Sequence, residues 1–135
     1  MPPTRIALRR GKSAKYRRAI MDQVYAAMRE TFDVPDEDRF MILTEHDSDN
    51  VGYSRHYLGI ERSDDLVIIQ ITANNTRTLE QKKALYRSIA RRLAIAPGIR
   101  PADVLINLAE VAKENWSFGN GETQYAPTSA AIPSP

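Results

Sequence analysis

The sequence contains no cysteine, which excludes both a disulfide framework and a thiol nucleophile. It has only two histidines, His46 and His56, ten residues apart in a polar stretch. Without a thiolate to join them, a metal centre would need carboxylates to complete it, and two loop histidines read more simply as surface residues. No apolar run approaches the roughly 18–20 residues that span a bilayer. The opening residues, MPPTRIALRRGKS, lack the apolar core of a secretion signal. A glycine-rich phosphate loop, GxGxxG, HExxH and GxSxG are all missing, which removes the commoner nucleotide, metalloprotease and hydrolase readings. These absences leave a soluble protein, expected in the cytoplasm and without a membrane partner.

What is present suits one compact domain: 135 residues, 42% hydrophobic and 27% charged. The net charge of +2 is small but unevenly spread. Residues 1–33 carry +5, 34–66 carry −6, 67–101 carry +6 and 102–135 carry −3. This alternation points to an internal repeat. It also argues against the continuous basic face of a nucleic-acid binder. The cluster Arg9, Arg10, Lys12, Lys15, Arg17 and Arg18 is read as a solvated basic helix face, and no nucleic-acid partner is expected.

Hydrophobic periodicity supplies the elements. Ile6–Arg9 alternates as a half-buried strand does. Ser13 is positioned as an N-cap, and Tyr16, Ala19, Ile20, Val24, Ala27 and Met28 form one apolar stripe on a helix. That helix should stop before Val34-Pro35, because a residue preceding proline avoids the helical region. Phe40–Thr44 reads as a short buried strand, and Glu45–Ser54 as a polar joint. The plan then repeats: a strand over Leu66–Ile71, a turn at Asn74-Asn75-Thr76, and a capping box made by Thr78 and Gln81. A stripe of Leu85, Ile89 and Leu93 follows, then Pro97-Gly98 as a stop and a fourth strand over Val104–Leu108.

One offset of 65 residues relates the halves, matching Ser13 with Thr78, Ile6 with Ile71, Ile20 with Leu85, Val24 with Ile89, Asp38 with Asp103 and Glu45 with Glu110. Two fused β-α-β units are therefore expected, as pseudo-repeats 1–50 and 66–112 of a single domain over residues 1–125. Right-handed crossovers would give an α+β fold with a four-stranded mixed sheet and both helices on one face. The other face, left bare, implies oligomerisation. Residues 126–135, small and proline-rich, read as a flexible tail. Asn115–Tyr125 reads as a short hairpin or a lid.

Pro2 is the residue with distinctive chemistry. If Met1 is removed, Pro2 becomes a free secondary amine at the start of a core strand. An α-amino group titrates at about 8 in model peptides, and burial or a nearby cation lowers that value. Such an amine can act as a general base near neutral pH, or as an acid once protonated. Pro3 bears on this, because a proline in third place hinders removal of Met1. A retained Met1 would turn Pro2 into an amide with no basic nitrogen.

Several strings then carry a resemblance: Val34-Pro35 followed by Asp38-Arg39, LGIERSD at 58–64, Arg77 with Glu80-Gln81-Lys82, and Trp116–Gly119 with Gly121. Together they resemble the tautomerase superfamily, in the branch of malonate semialdehyde decarboxylase, over nearly the whole domain. The resemblance implies a homotrimer of fused β-α-β pairs that needs no cofactor or metal. It implies a small oxo acid bearing a carboxylate as substrate, and catalysis by Pro2. It casts Asp38 as the aspartate that activates water or positions the proline, and Arg77 as one of two arginines that hold the substrate carboxylate. The other arginine falls on Asn75, which can donate hydrogen bonds but brings no charge. Trp116 and Phe118 match aromatics lining the apolar side of the pocket. Two outcomes stay open: decarboxylation or keto–enol tautomerisation of an oxo acid, or a non-catalytic trimeric homologue that retains Met1.

Overall fold

The computed structural model describes residues 3–126. Strand β1 (Thr4–Arg9) leads into helix α1 (Ala14–Phe32) and strand β2 (Met41–His46). After the polar joint come strand β3 (Val67–Asn74), helix α2 (Leu79–Ile95) and strand β4 (Val104–Val111). The sheet order is β2-β1-β3-β4. The strands are parallel within each unit, β1 with β2 and β3 with β4, and antiparallel where β1 meets β3. This is the mixed sheet of two β-α-β units that the repeat predicts.

Local chemistry explains the boundaries. The Ser13 hydroxyl accepts from the Tyr16 amide at 3.1 Å and opens α1. Thr78 and Gln81 complete the reciprocal capping box of α2, satisfying amides that the first turn leaves without helical partners. Helix α1 ends at Asp33, which takes the left-handed conformation. Both helices lie on one sheet face, where Ile20, Val24, Leu85 and Ile89 reach zero exposure against Ile6, Ile69 and Ile71. The four residues matched across the repeat as helix stripe thus form the centre of the core.

The offset of 65 also preserves an ion pair that ties helix to strand in each unit. Arg17 meets Glu45 at 3.4 Å, and Lys82 meets Glu110 at 2.6 Å. The duplicated plan therefore survives in polar contacts as well as in apolar ones.

The strands run further than their hydrophobic cores indicate: β1 begins at Thr4 and β2 reaches His46, and the second strand, expected to be buried, lies at the sheet edge with Phe40 55% exposed. Strand β3 continues from Ile71 to Asn74, and β4 from Leu108 to Val111, because Thr72, Ala73 and Asn74 keep their ladder with Ala109, Glu110 and Val111. Asn74, expected in a turn, is instead the last residue of a strand and only 7% exposed. On the sheet face away from the helices, Ile42 is 54% and Leu105 39% exposed, and Arg5, Gln70 and Asn107 lie in register beside them. The uncovered face is apolar in patches and polar between. Apart from Ala126, the expected tail lies outside the described residues, as does Pro2.

Candidate active site

The loop from α1 to β2 presents Asp38. Val34 anchors the loop in the core. Arg29 then pairs with Asp36 at 3.2 Å, the Glu37 amide donates to the Tyr25 hydroxyl at 3.2 Å, and Arg39 pairs with Asp22 at 2.6 Å. Glu37 sits at φ 69°, a left-handed conformation that turns the chain sharply just before Asp38. Asp38 is thus held from both sides, half-buried, with its Oδ2 shielded from solvent. Burial raises its carboxyl above the ordinary value, while the positive charge of Arg77 works to lower it.

Arg77 lies between the end of β3 and the cap of α2. Its Nη2 donates to the Phe32 carbonyl at 2.9 Å, and its guanidinium lies 4.7 Å from the centre of the Phe32 ring. A cation at the C-terminal turn of α1 is favoured by the helix dipole, and stacking on the ring adds to that. Arg77 therefore secures the end of α1 while its charge acts on Asp38.

The segment after β4 forms the third wall. Trp116 and Phe118 stack with ring centres 5.3 Å apart, and Phe118 meets Tyr125 edge-on at 4.7 Å. Of the two forms expected for 115–125, a hairpin or a lid, no hairpin strands form among the described residues. Instead Gln124 closes the turn from inside, accepting from the Phe118 amide at 3.0 Å and donating to the Gly119 carbonyl at 3.1 Å. The Trp116 indole N–H donates to Asn74 Oδ1 at 2.6 Å, fixing the arm to the last residue of β3. Burial raises the Tyr125 phenol above its usual value, the Asp38 carboxylate adds to the rise, and Arg77 opposes it.

Asp38, Arg77, Trp116 and Phe118 therefore converge at one end of the sheet, next to the start of β1. There the Thr4 amide bonds the Phe40 carbonyl and the Pro3 carbonyl accepts from Thr72. Asn75 stands beside them but is exposed, its amide bonded to the Val111 carbonyl at 3.1 Å. Asn74 and Tyr125 belong to the site and were not singled out from the sequence. The signal for Tyr125 was its place as the third aromatic of the arm. That for Asn74 was hidden by the misplaced end of β3. A cavity of about 310 Å³ lined by Asn74, Lys113, Gln124 and Tyr125 opens here. Among the described residues, no three His, Cys, Asp or Glu side chains cluster as metal ligands would.

Trp116 is the only tryptophan, so its emission reports on the arm. Asn74→Leu removes the acceptor of its N–H and is expected to shift the emission to the red as the arm loosens, with a stability loss of about 1 kcal/mol. Unchanged emission would show that the bond does not hold the arm.

The carboxyl of Asp38, the guanidinium of Arg77, the phenol of Tyr125 and the stacked rings of Trp116 and Phe118 thus lie together at one end of the sheet. Comparison with known proteins gives the family. A family profile described as "Tautomerase enzyme" matches residues 38–119, and a second with the same description matches residues 2–60. The probable tautomerase YusQ of Bacillus subtilis is 41% identical over 92% of this chain and 98% of its own. The crystal structure of FG41 malonate semialdehyde decarboxylase inhibited by 3-bromopropiolate superposes with a TM-score of 0.87. It is 39% identical over 97% of this chain and 99% of that one. A fused 4-OT solved as a symmetric trimer has a TM-score of 0.74 at 18% identity, covering 88% of this chain and 93% of its own, and shares the fold. The chain belongs to the tautomerase family of enzymes.

Proposed function

We propose that this enzyme acts without a cofactor on a small oxo acid, using Pro2 as its acid or base. The observation that carries the reading is the convergence of Asp38 and Arg77 with the stacked Trp116 and Phe118 beside the start of β1. Arg77, fixed on Phe32, offers the substrate carboxylate a positioned charge, and Asn75 adds hydrogen-bond donors without charge. In decarboxylation, protonated Pro2 polarises a 3-oxo group, the bond to the carboxylate breaks, and its electron pair passes into an enolate that is then protonated. A carboxylate pressed against Trp116 and Phe118 loses hydration, which favours release of CO2. In tautomerisation, neutral Pro2 takes a proton from carbon, the C–H electron pair passes into an enolate, and the proton is returned to the enolate oxygen to give the enol. The likeness to a malonate semialdehyde decarboxylase favours the first reaction.

A homotrimer would cover the apolar patches around Ile42 and Leu105, consistent with the trimeric fused 4-OT of the same fold. The test combines intact mass with turnover. Purified protein is expected to begin at Pro2 and to turn over at least one member of a panel of 2- and 3-oxo acids. Pro2→Ala is expected to lower that rate by about 100-fold or more. Retained Met1 together with no turnover across the panel overturns the reading.

A further inference from the structure

A larger cavity, about 640 Å³, opens at the opposite end of the sheet, beyond the last residue of β1. Its lining is related to the candidate active site by the same offset of 65. Arg9, Lys12 and Ser48 precede Asn74, Arg77 and Lys113 by that interval, and nearby Tyr53 precedes Phe118. Asp103 follows Asp38 by the same interval. The duplication has therefore produced two clefts, and the second gathers three cations, Arg9, Arg10 and Lys12, among three aspartates, Asp47, Asp64 and Asp65.

That charge is already met by the chain. Arg9 pairs with Asp64 at 2.8 Å and Lys12 with Asp65 at 2.8 Å. Tyr53 and Arg55 also bind Asp64, at 2.6 and 2.9 Å. Asp103, 1% exposed, accepts from both the amide and the hydroxyl of Ser63 at 2.6 Å. The buried acid equivalent to Asp38 thus fixes the linker immediately before the two aspartates and holds them over the cations. Both aspartates are more than half exposed, at 53% and 54%, so no burial in the core keeps them there.

We propose that this cleft is a latent second carboxylate-binding site, occupied by Asp64 and Asp65 in place of a ligand. Arg9 supplies a planar fork suited to a carboxylate, and Lys12 a point charge beside it. With Asp64 and Asp65 neutralised, Arg9 and Lys12 lose their partners in the cavity beside Ser48, while Arg10 stays paired with Asp47 at 2.9 Å, and electrostatic focusing by the two freed cations draws in a small anion. In the wild-type chain the tethered carboxylates hold those positions at high effective concentration.

Malonate, followed by ¹⁵N-resolved amide shifts, is the probe. In Asp64→Asn/Asp65→Asn, malonate is expected to shift the Gly11 and Ser48 amides with affinity roughly tenfold or more tighter than in wild type. Adding Lys12→Ala to that variant is expected to abolish the gain. Shifts at Asn74 and Lys113 report the candidate active site separately, so its failure to bind cannot be mistaken for failure here. Catalytic turnover is expected to be unchanged in the double variant. Gly11 and Ser48 shifts no stronger than in wild type, or a gain indifferent to Lys12→Ala, overturn the proposal. If the double variant does not fold, the single variants decide: each is expected to give part of the gain, and its absence from both overturns the proposal equally.

Discussion

Asp38→Asn is expected to lower turnover about 100-fold or more, the usual scale for a group that positions or moves a proton, yet to leave the protein no less stable at neutral pH. Loss of rate follows from replacing a carboxylate by an amide that neither accepts a proton nor carries charge. Retained stability follows from burial. Because burial raises the Asp38 carboxyl above its ordinary 3.8, the folded protein holds that proton more tightly than the unfolded chain does. Asp38 therefore favours folding below about pH 3.8, and this advantage is lost as the pH rises through the folded value. At neutral pH the ionised group is a burden that asparagine lifts. Thermal unfolding from pH 3.5 to 7 checks this: the variant should gain on wild type as the pH rises. The wild-type kcat/KM should fall on the acid side with a midpoint above the ordinary carboxylate value, and the residual activity of the variant should lack that limb. A variant that is both inactive and destabilised at neutral pH would make Asp38 a structural residue.

Leu85→Ala is expected to remove about 2–5 kcal/mol, a large part of the 5–15 kcal/mol typical of a domain. Leu85 has no exposed surface and sits in the core between the two helices and the sheet. The core it belongs to is rich in β-branched residues, Ile69 and Ile71 among them, which have little rotamer freedom to collapse into a void. Urea midpoints measure the loss. On the same helix, Ile95 is 77% exposed, and Ile95→Ala is expected to change stability by no more than about 0.5 kcal/mol. Similar losses at the two positions would contradict the assignment of the core.

The fold was legible because its information is periodic and local. Ser13, Thr78 and Gln81 act on amides within one turn, and the stripes of Ile20 with Val24 and Leu85 with Ile89 depend only on helical spacing. Strand ends were less legible. Beyond Ile71, the ladder is kept by pairing with β4, a long-range relation that the polar Thr72 and Asn74 around a single small apolar Ala73 do not signal. That displacement places Asn74 in a turn on sequence grounds and hides its bond to Trp116. In the site, Asp38 and Arg77 stand out through the family resemblance alone; their spacing in the chain does not reveal that the charge of one acts on the other. The second role of Arg77, on the Phe32 carbonyl, was invisible for the same reason: the two lie 45 residues apart.

The Arg77–Phe32 contact has a consequence for how the two halves could have diverged. Asp38 and Phe32 come from the first unit, and Arg77, Trp116 and Tyr125 from the second. Neither half owns a complete pocket. A gene encoding either one alone would inherit an acid without its counter-charge, or a cation without its perch. Covalent fusion thus sets a fixed one-to-one stoichiometry between complementary fragments of the candidate site. Once that ratio is guaranteed, each copy is free to diverge, one end of the sheet keeping Asp38 within the field of Arg77 and the other closing Arg9 and Lys12 onto Asp64 and Asp65.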